Sequence, residues 1–224
     1  MKVRILSIDT TTEFGSLALV GDGELVDELL LHSTDGFAHI LYPHLERLLA
    51  KHAWKIGEID CLAATSGPGS FTGVRVGLAA AKGLAEACRK PMVAVSNLRA
   101  LAWFGAAPLR ATVLDARRGE VYGAVYDASL AIVRDEVVTK FPAWLATLPE
   151  GELEFIATDF GPFRQALAGT RFEKTPLIEA PRAMAGAVGR LAARLLAQGK
   201  AQDPAEVDAN YVRRSDAELF WKDS

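Results

Sequence analysis

The sequence predicts an α/β protein of two lobes, each carrying a βββαβα unit. Three observations predict it. Two apolar stretches, Ile5 to Asp9 and Ala111 to Asp115, both end in an aspartate and both open a run of three strand-like segments. After each run, helical patterns and short apolar runs alternate, as they do when helices connect the strands of one sheet. Between the halves, Gly, Ala and Pro cluster over Gly105 to Arg110, a composition suited to a boundary. The lobes are therefore expected at residues 1–105 and 106–224, with the final segment packing back on the first lobe.

Val3 to Asp9 is apolar and β-branched, which fits a buried strand. Thr10, Thr11 and Thr12 turn the chain, and Gly15 to Gly21 returns it. Asp22-Gly23 is a strong short hairpin signal, and Glu24 to Leu31 makes the third strand. A helix is expected within Asp35 to His52, with Ile40, Leu41, Leu45, Leu48 and Leu49 on one face. Pro43 must lie in its first turns or kink it, because it lacks an N–H and crowds the turn before it. Ile59 to Thr65 is the fourth strand, Thr72 to Arg89 the second helix and Pro91 to Ser96 the fifth strand. In the second half, Val121 to Asp127 and Ile132 to Thr139 follow the first strand, then a helix over Pro142 to Leu148 and a strand over Leu153 to Thr158. The longest helix spans about Pro181 to Gln198, with Pro181 at its start and Gly199 at its end.

Half of the 224 residues are hydrophobic, enough for a sizeable core. A net charge of −3 argues against a protein that grips nucleic acid unaided, although a local basic patch is compatible with it. Cys61 and Cys88 lack the spacing of a metal site or a redox pair and read as small buried hydrophobes. The N-terminus meets Asp9 too early for a signal peptide. No apolar run approaches the roughly 20 residues that cross a bilayer. The expectation is a soluble, cytoplasmic protein with no membrane partner.

The stretch Ser66-Gly67-Pro68-Gly69-Ser70-Phe71-Thr72-Gly73-Val74-Arg75 lies between a strand and a helix. Such a turn leaves backbone N–H groups at a helix N-terminus, where with the helix dipole they can hold an anion. It is not a Walker loop, since no Lys follows Gly73, nor a dinucleotide fingerprint. An ordinary βα connection capped by Thr72 competes with the anion reading. Asp9 and Asp115 each admit a hairpin-capping role. His39 and His44 are five residues apart, about 140° around a helix, and cannot share an ion as an i, i+4 pair can. His32 and His52 fit solvated or capping positions. Arg117, Arg118 and Glu120 form a charged turn that meets a partner or water.

The topology resembles the actin/Hsp70/sugar-kinase-like (ribonuclease H-like) superfamily. The words Ile8-Asp9-Thr10-Thr11, Ser66 to Arg75, Asp115-Ala116-Arg117-Arg118-Gly119-Glu120-Val121-Tyr122 and Tyr211-Val212-Arg213 narrow the resemblance to the TsaB (YeaZ) family. The likeness runs from Met1 to about Arg214. It implies a non-catalytic subunit that pairs with TsaD, a catalytic relative, to support transfer of a threonylcarbamoyl group to N6 of adenosine 37 in tRNAs reading codons that begin with A. TsaE is the further partner implied. A homodimer is expected when TsaD is absent, and tRNA contact only through the complex. TsaD carries an H-x-x-x-H metal pair after the fifth strand; the corresponding positions here are Asn97 and Leu101, so no metal is expected. No cofactor is expected in the isolated chain, with ATP or ADP at a subunit junction of the complex. The superfamily's nucleotide-placing acid maps to Asp9, with Asp115 its counterpart, and together with Thr10, Thr11 and the turn residues Gly67, Gly69 and Ser70 these form the candidate nucleotide-binding set.

The same resemblance assigns partner binding to the two helices of the first lobe, through Ile40, Leu41, His44, Leu45, Leu48, Val74, Gly77, Leu78 and Ala81. Packing on the lobe's own sheet is the alternative for these faces. If they do form the partner surface, Leu78→Arg should abolish pairing and leave the fold intact. Two other function classes compete. One is a kinase of the acetate and sugar-kinase type, using Asp9 and the Gly-rich turn. The other is a metallopeptidase, against which Asn97 and Leu101 count directly.

Overall fold

The computed structural model describes residues 3–213. They form two compact units: residues 3–100 with 181–209, and residues 101–180 with 210–213. The division thus falls after residue 100 and not at 105, and residues 181–209 go to the first unit. Contiguity in sequence argued for the second lobe; packing partners decide otherwise.

In the first unit, β1 (Arg4–Asp9), β2 (Phe14–Gly21) and β3 (Glu24–His32) form an antiparallel meander. Helix α1 (Leu41–Lys51) leads to β4 (Cys61–Gly67), α2 (Phe71–Cys88) and β5 (Met92–Ser96), and β4 and β5 add parallel to β1. The sheet order is β3-β2-β1-β4-β5. In the second unit β6 (Leu109–Arg117), β7 (Glu120–Asp127) and β8 (Ile132–Lys140) repeat the meander. After α4 (Phe141–Thr147), β9 (Leu153–Ala157) and β10 (Leu177–Glu179) add parallel to β6, giving β10-β9-β6-β7-β8. Both sheets therefore run third-second-first-fourth-fifth, so the duplication and the ribonuclease H-like fold class hold. Short elements that the periodicity did not reveal are α3 (Asn97–Ala102), α5 (Arg164–Leu167) and β10.

Alternation along β1 sorts the first unit into layers, because successive strand residues point to opposite faces. Leu6 and Ile8 join the apolar cluster of α1 and α2, through Leu41, Leu45, Leu48, Val74, Leu78 and Ala81. Ser7 faces the other way, onto α6 (Ala185–Ala197), where its hydroxyl donates to the Ala185 carbonyl at 2.6 Å. Close approach there needs a glycine: a Cβ on Gly189 would lie 2.6 Å from Val20 and 2.8 Å from Ser7. The N-terminus of α6 is capped from β2, where the Ser16 hydroxyl accepts from Met184 N (3.0 Å) and Ala185 N (2.8 Å). Residues beyond α6 stay with this unit, since Gln202 bridges Met92 and the Lys82 ammonium donates to the Val207 carbonyl.

The second unit's core is aromatic. Phe141, Trp144, Phe155, Phe160, Phe163 and Phe172 are all buried, and Phe155 meets Phe172 edge-on with ring centroids 5.4 Å apart. Its first connection is fastened by Glu154, whose carboxylate accepts from Ala106 N and Ala107 N. Among the described residues no helix is long and apolar enough to cross a membrane.

Candidate functional site

The residues expected around a phosphate lie at the end of β1, but their polar atoms are engaged with one another. Asp9 is fully buried. Its Oδ1 accepts from the Thr11 hydroxyl (2.6 Å), the Thr11 amide (3.1 Å) and the Thr65 hydroxyl (2.8 Å). The Asn97 amide donates to the same Thr11 hydroxyl. Asp9 Oδ2 and Asn97 Oδ1 are buried without a hydrogen-bond partner. Burial pushes the Asp9 carboxyl above its ordinary range, against the lowering effect of the two threonine hydroxyls.

The Gly-rich turn is clamped onto this same hairpin. Ser70 N donates to the Thr11 carbonyl at 2.7 Å, and Thr10 Oγ1 donates to the Gly73 carbonyl at 2.6 Å. A Cβ on Gly69 would lie 2.5 Å from the Thr11 carbonyl oxygen, one on Gly73 would collide with that of Thr10, and one on Gly77 would lie 2.6 Å from Thr10 Oγ1. Gly67, at φ 103°, turns the chain into the cis Gly67-Pro68 bond. The cap of α2 is Ser70, whose Oγ accepts from Gly73 N (3.3 Å), and not Thr72. The glycines thus serve backbone-to-backbone packing. Asp9, Thr10, Thr11, Gly69 and Ser70 are brought together by these contacts, with Gly67 at the entry to the turn, and the Asp9 carboxyl is inaccessible to solvent.

Asp115 is different. It is exposed, and its Oδ1 accepts from Arg117 N at 2.8 Å within the β6–β7 turn, the hairpin-capping role. Arg213 then pins that turn, donating to the Ala116 carbonyl (2.9 Å) and to Glu120 (2.5 Å). The sequence word Tyr211-Val212-Arg213 is therefore a clasp on the word Asp115 to Tyr122, both within the second unit. The segment 219–224, with Phe220 and Trp221, lies outside the described residues.

The partner surface needs correction. Leu41, Leu45, Leu48, Val74, Gly77, Leu78 and Ala81 all turn inward and are buried in the first unit. The helical spacing that marked them as one face marked the face that packs on the sheet. Ile40 and His44 stay half-buried, with His44 Nδ1 2.8 Å from the Ile40 carbonyl. Leu78→Arg is consequently a core lesion. What faces outward on α2 is Phe71, Arg75, Ala79, Gly83 and Ala87, with Tyr42 on α1. The Arg75 guanidinium stacks 3.4 Å over the Phe71 ring.

The remaining candidates are structural. His52 Nε2 and Lys51 Nζ both reach Asp27 Oδ2 at 2.6 Å, fastening the end of α1 to β3 and holding the Asp27 carboxyl at about 2. His32 lies against the Phe14 ring. Cys61 is buried, and burial pushes its thiol up to about 12, far from reactive. Leu101 is buried like Asn97. No group of three or more His, Cys, Asp or Glu side chains that could hold a metal occurs among the described residues.

Residues 33–218 match the family model described as TsaD: tRNA N6-adenosine threonylcarbamoyltransferase. The chain belongs to this family. Within it the chain is a TsaB/YeaZ member. It is 42% identical over 129 residues to the tRNA threonylcarbamoyladenosine biosynthesis protein TsaB of Escherichia coli (strain K12), a match spanning 55% of this chain and about half (55%) of that relative's length. The protein of the same description from Bacillus subtilis (strain 168) is 28% identical over 234 residues, covering 98% of both chains. A crystal structure from Pseudomonas aeruginosa, described as an uncharacterized protein with similarity to peptidase YEAZ, aligns with TM-score 0.82 at 26% identity, covering 94% of this chain and 100% of that one.

Proposed function

We propose that this TsaB/YeaZ member is the non-catalytic subunit of a tRNA threonylcarbamoyl-transfer complex and works by pairing with a TsaD-type transferase. The observation that carries this reading is the state of the positions where the transferase's metal pair would stand. Asn97 is 2% and Leu101 1% exposed, and the Asn97 amide is spent on Thr11. A buried leucine and an engaged amide supply no Lewis acid and no general base. The same packing counts against a kinase built on Asp9 and against a metallopeptidase.

Pairing is assigned to the outward side of α2. Ala79, Gly83 and Ala87 recur every four residues and are exposed, while Phe71 and Arg75 supply an apolar, stacked end. A small-residue ridge lets a second helix come close. Ile40, His44 and Tyr42 border the assignment on α1. In this proposal the same surface serves a homodimer when the transferase is absent, tRNA is engaged through the complex, ATP or ADP sits at a subunit junction, and a TsaE-type ATPase joins. Ala79→Arg is expected to weaken pairing with the TsaD-type partner at least tenfold by calorimetry, with thermal unfolding unchanged within about 0.5 kcal/mol. Wild-type affinity for Ala79→Arg would remove the assignment.

A further inference from the structure

The turn between β6 and β7 carries arginines where its backbone favours other residues. Arg117, Arg118 and Gly119 have φ of 65°, 55° and 71°. Left-handed φ is uncommon for residues other than Gly, Asn and Asp, and two-residue turns of this hand favour Asn-Gly over the Arg118-Gly119 found here. Strained positions of this kind cluster at functional sites.

The charges around the turn are arranged as well. Arg117 pairs with Glu120 across the β6–β7 ladder, and Glu120 pairs with Lys140 across β7–β8. Three neighbouring strands therefore end in Arg, Glu and Lys. Glu120 would cancel its neighbours, but Arg213 pairs with it at 2.5 Å. Lys140 Nζ donates to the Arg118 carbonyl at 2.7 Å, which holds the ammonium beside that arginine. Arg117 reaches Asp115 at 3.5 Å with its side chain 84% exposed. Among the described residues, four cations thus meet two carboxylates at this turn, in a chain whose net charge is −3.

We propose that this turn contacts the phosphate backbone of RNA through Arg117, Arg118 and Lys140. Guanidinium groups match phosphate oxygens in a fork, and an ammonium adds a point charge. A locally positive turn attracts a phosphate backbone even on an acidic chain. The choice of RNA rests on the tRNA-modifying role proposed above; the charge geometry does not. Arg213 positions the turn and neutralises Glu120.

The test is binding of a fluorescein-labelled tRNA transcript to the chain paired with its TsaD-type partner, read by anisotropy over a range of salt. Arg117→Ala, Arg118→Ala and Lys140→Ala combined should weaken binding at least tenfold at about 150 mM salt and lower the slope of log K against log salt by about 2 to 3. Arg118→Lys should retain most of the affinity. Arg118→Asn is the decisive variant: it restores the favoured Asn-Gly turn, so the melting temperature should rise while RNA affinity falls. A purely structural turn would move both together. Unchanged affinity and slope in the triple variant overturn the proposal, as does a wild-type complex that binds no tRNA. Intact RNA affinity with lost pairing assigns the turn to an acidic protein surface and also overturns it. A wild-type complex that binds tRNA with the expected slope change but transfers nothing leaves this surface standing and removes the proposed function instead.

Discussion

Asp9 closes β1 and Asp115 lies two residues before the end of β6, and the two do opposite things. Asp115 is solvated and caps its hairpin, whereas Asp9 is buried with Oδ2 unpartnered. A carboxyl whose folded pKa is raised above its ordinary 3.8 contributes stability only while protonated. That contribution is complete below 3.8 and is lost as pH rises through the folded value. Asp9→Asn keeps an acceptor for Thr11 and Thr65 and removes the charge. It should therefore stabilise the chain near pH 7 in denaturant unfolding, with the advantage shrinking toward pH 4. A variant less stable than wild type at both pH values would contradict a strained, buried carboxyl. Asp27 has the reverse sign: Lys51 and His52 hold it at about 2, so its contribution is present above 3.8 and fades as pH falls toward 2. The sequence marked Asp9, Thr11 and Asn97 separately. It could not show that Asn97 meets Thr11, since nothing local announces a bond across 86 residues.

At the scale of elements, periodicity located the strands and helices well and misjudged what their faces meet. The spacing 41, 45, 48 and 74, 77, 78, 81 correctly marked an apolar face, but period alone does not say whether the cover is the chain's own sheet or another protein. Leu78→Arg should accordingly cost about 4 kcal/mol or more and unfold the first unit, read as loss of the cooperative transition. A folded Leu78→Arg with lost pairing would restore the original assignment. The placement of α6 escaped the sequence for a related reason. Its cap, Ser16, is 168 and 169 residues away from the amides that it receives, and Gly189 matters only against Ser7 and Val20. The three-residue β10 is too short for any alternation to register.

For the whole molecule, the repeat was legible because each unit restates the same strand order, with an aspartate closing the first strand of one unit (Asp9) and two residues from the end of the first strand of the other (Asp115). The superfamily's chemistry does not follow from that repeat, since sites are grafted on folds. The proposed non-catalytic role rests instead on how these positions are packed: a buried Asn97–Thr11–Asp9 knot, a glycine turn pressed on a hairpin, and Leu101 in the core. The most direct test is threonylcarbamoyl transfer to tRNA from threonylcarbamoyl-adenylate, with this chain alone, its TsaD-type partner alone, and the two mixed. A scaffold gives transfer in the mixture and none from this chain alone. Turnover by this chain alone would contradict it.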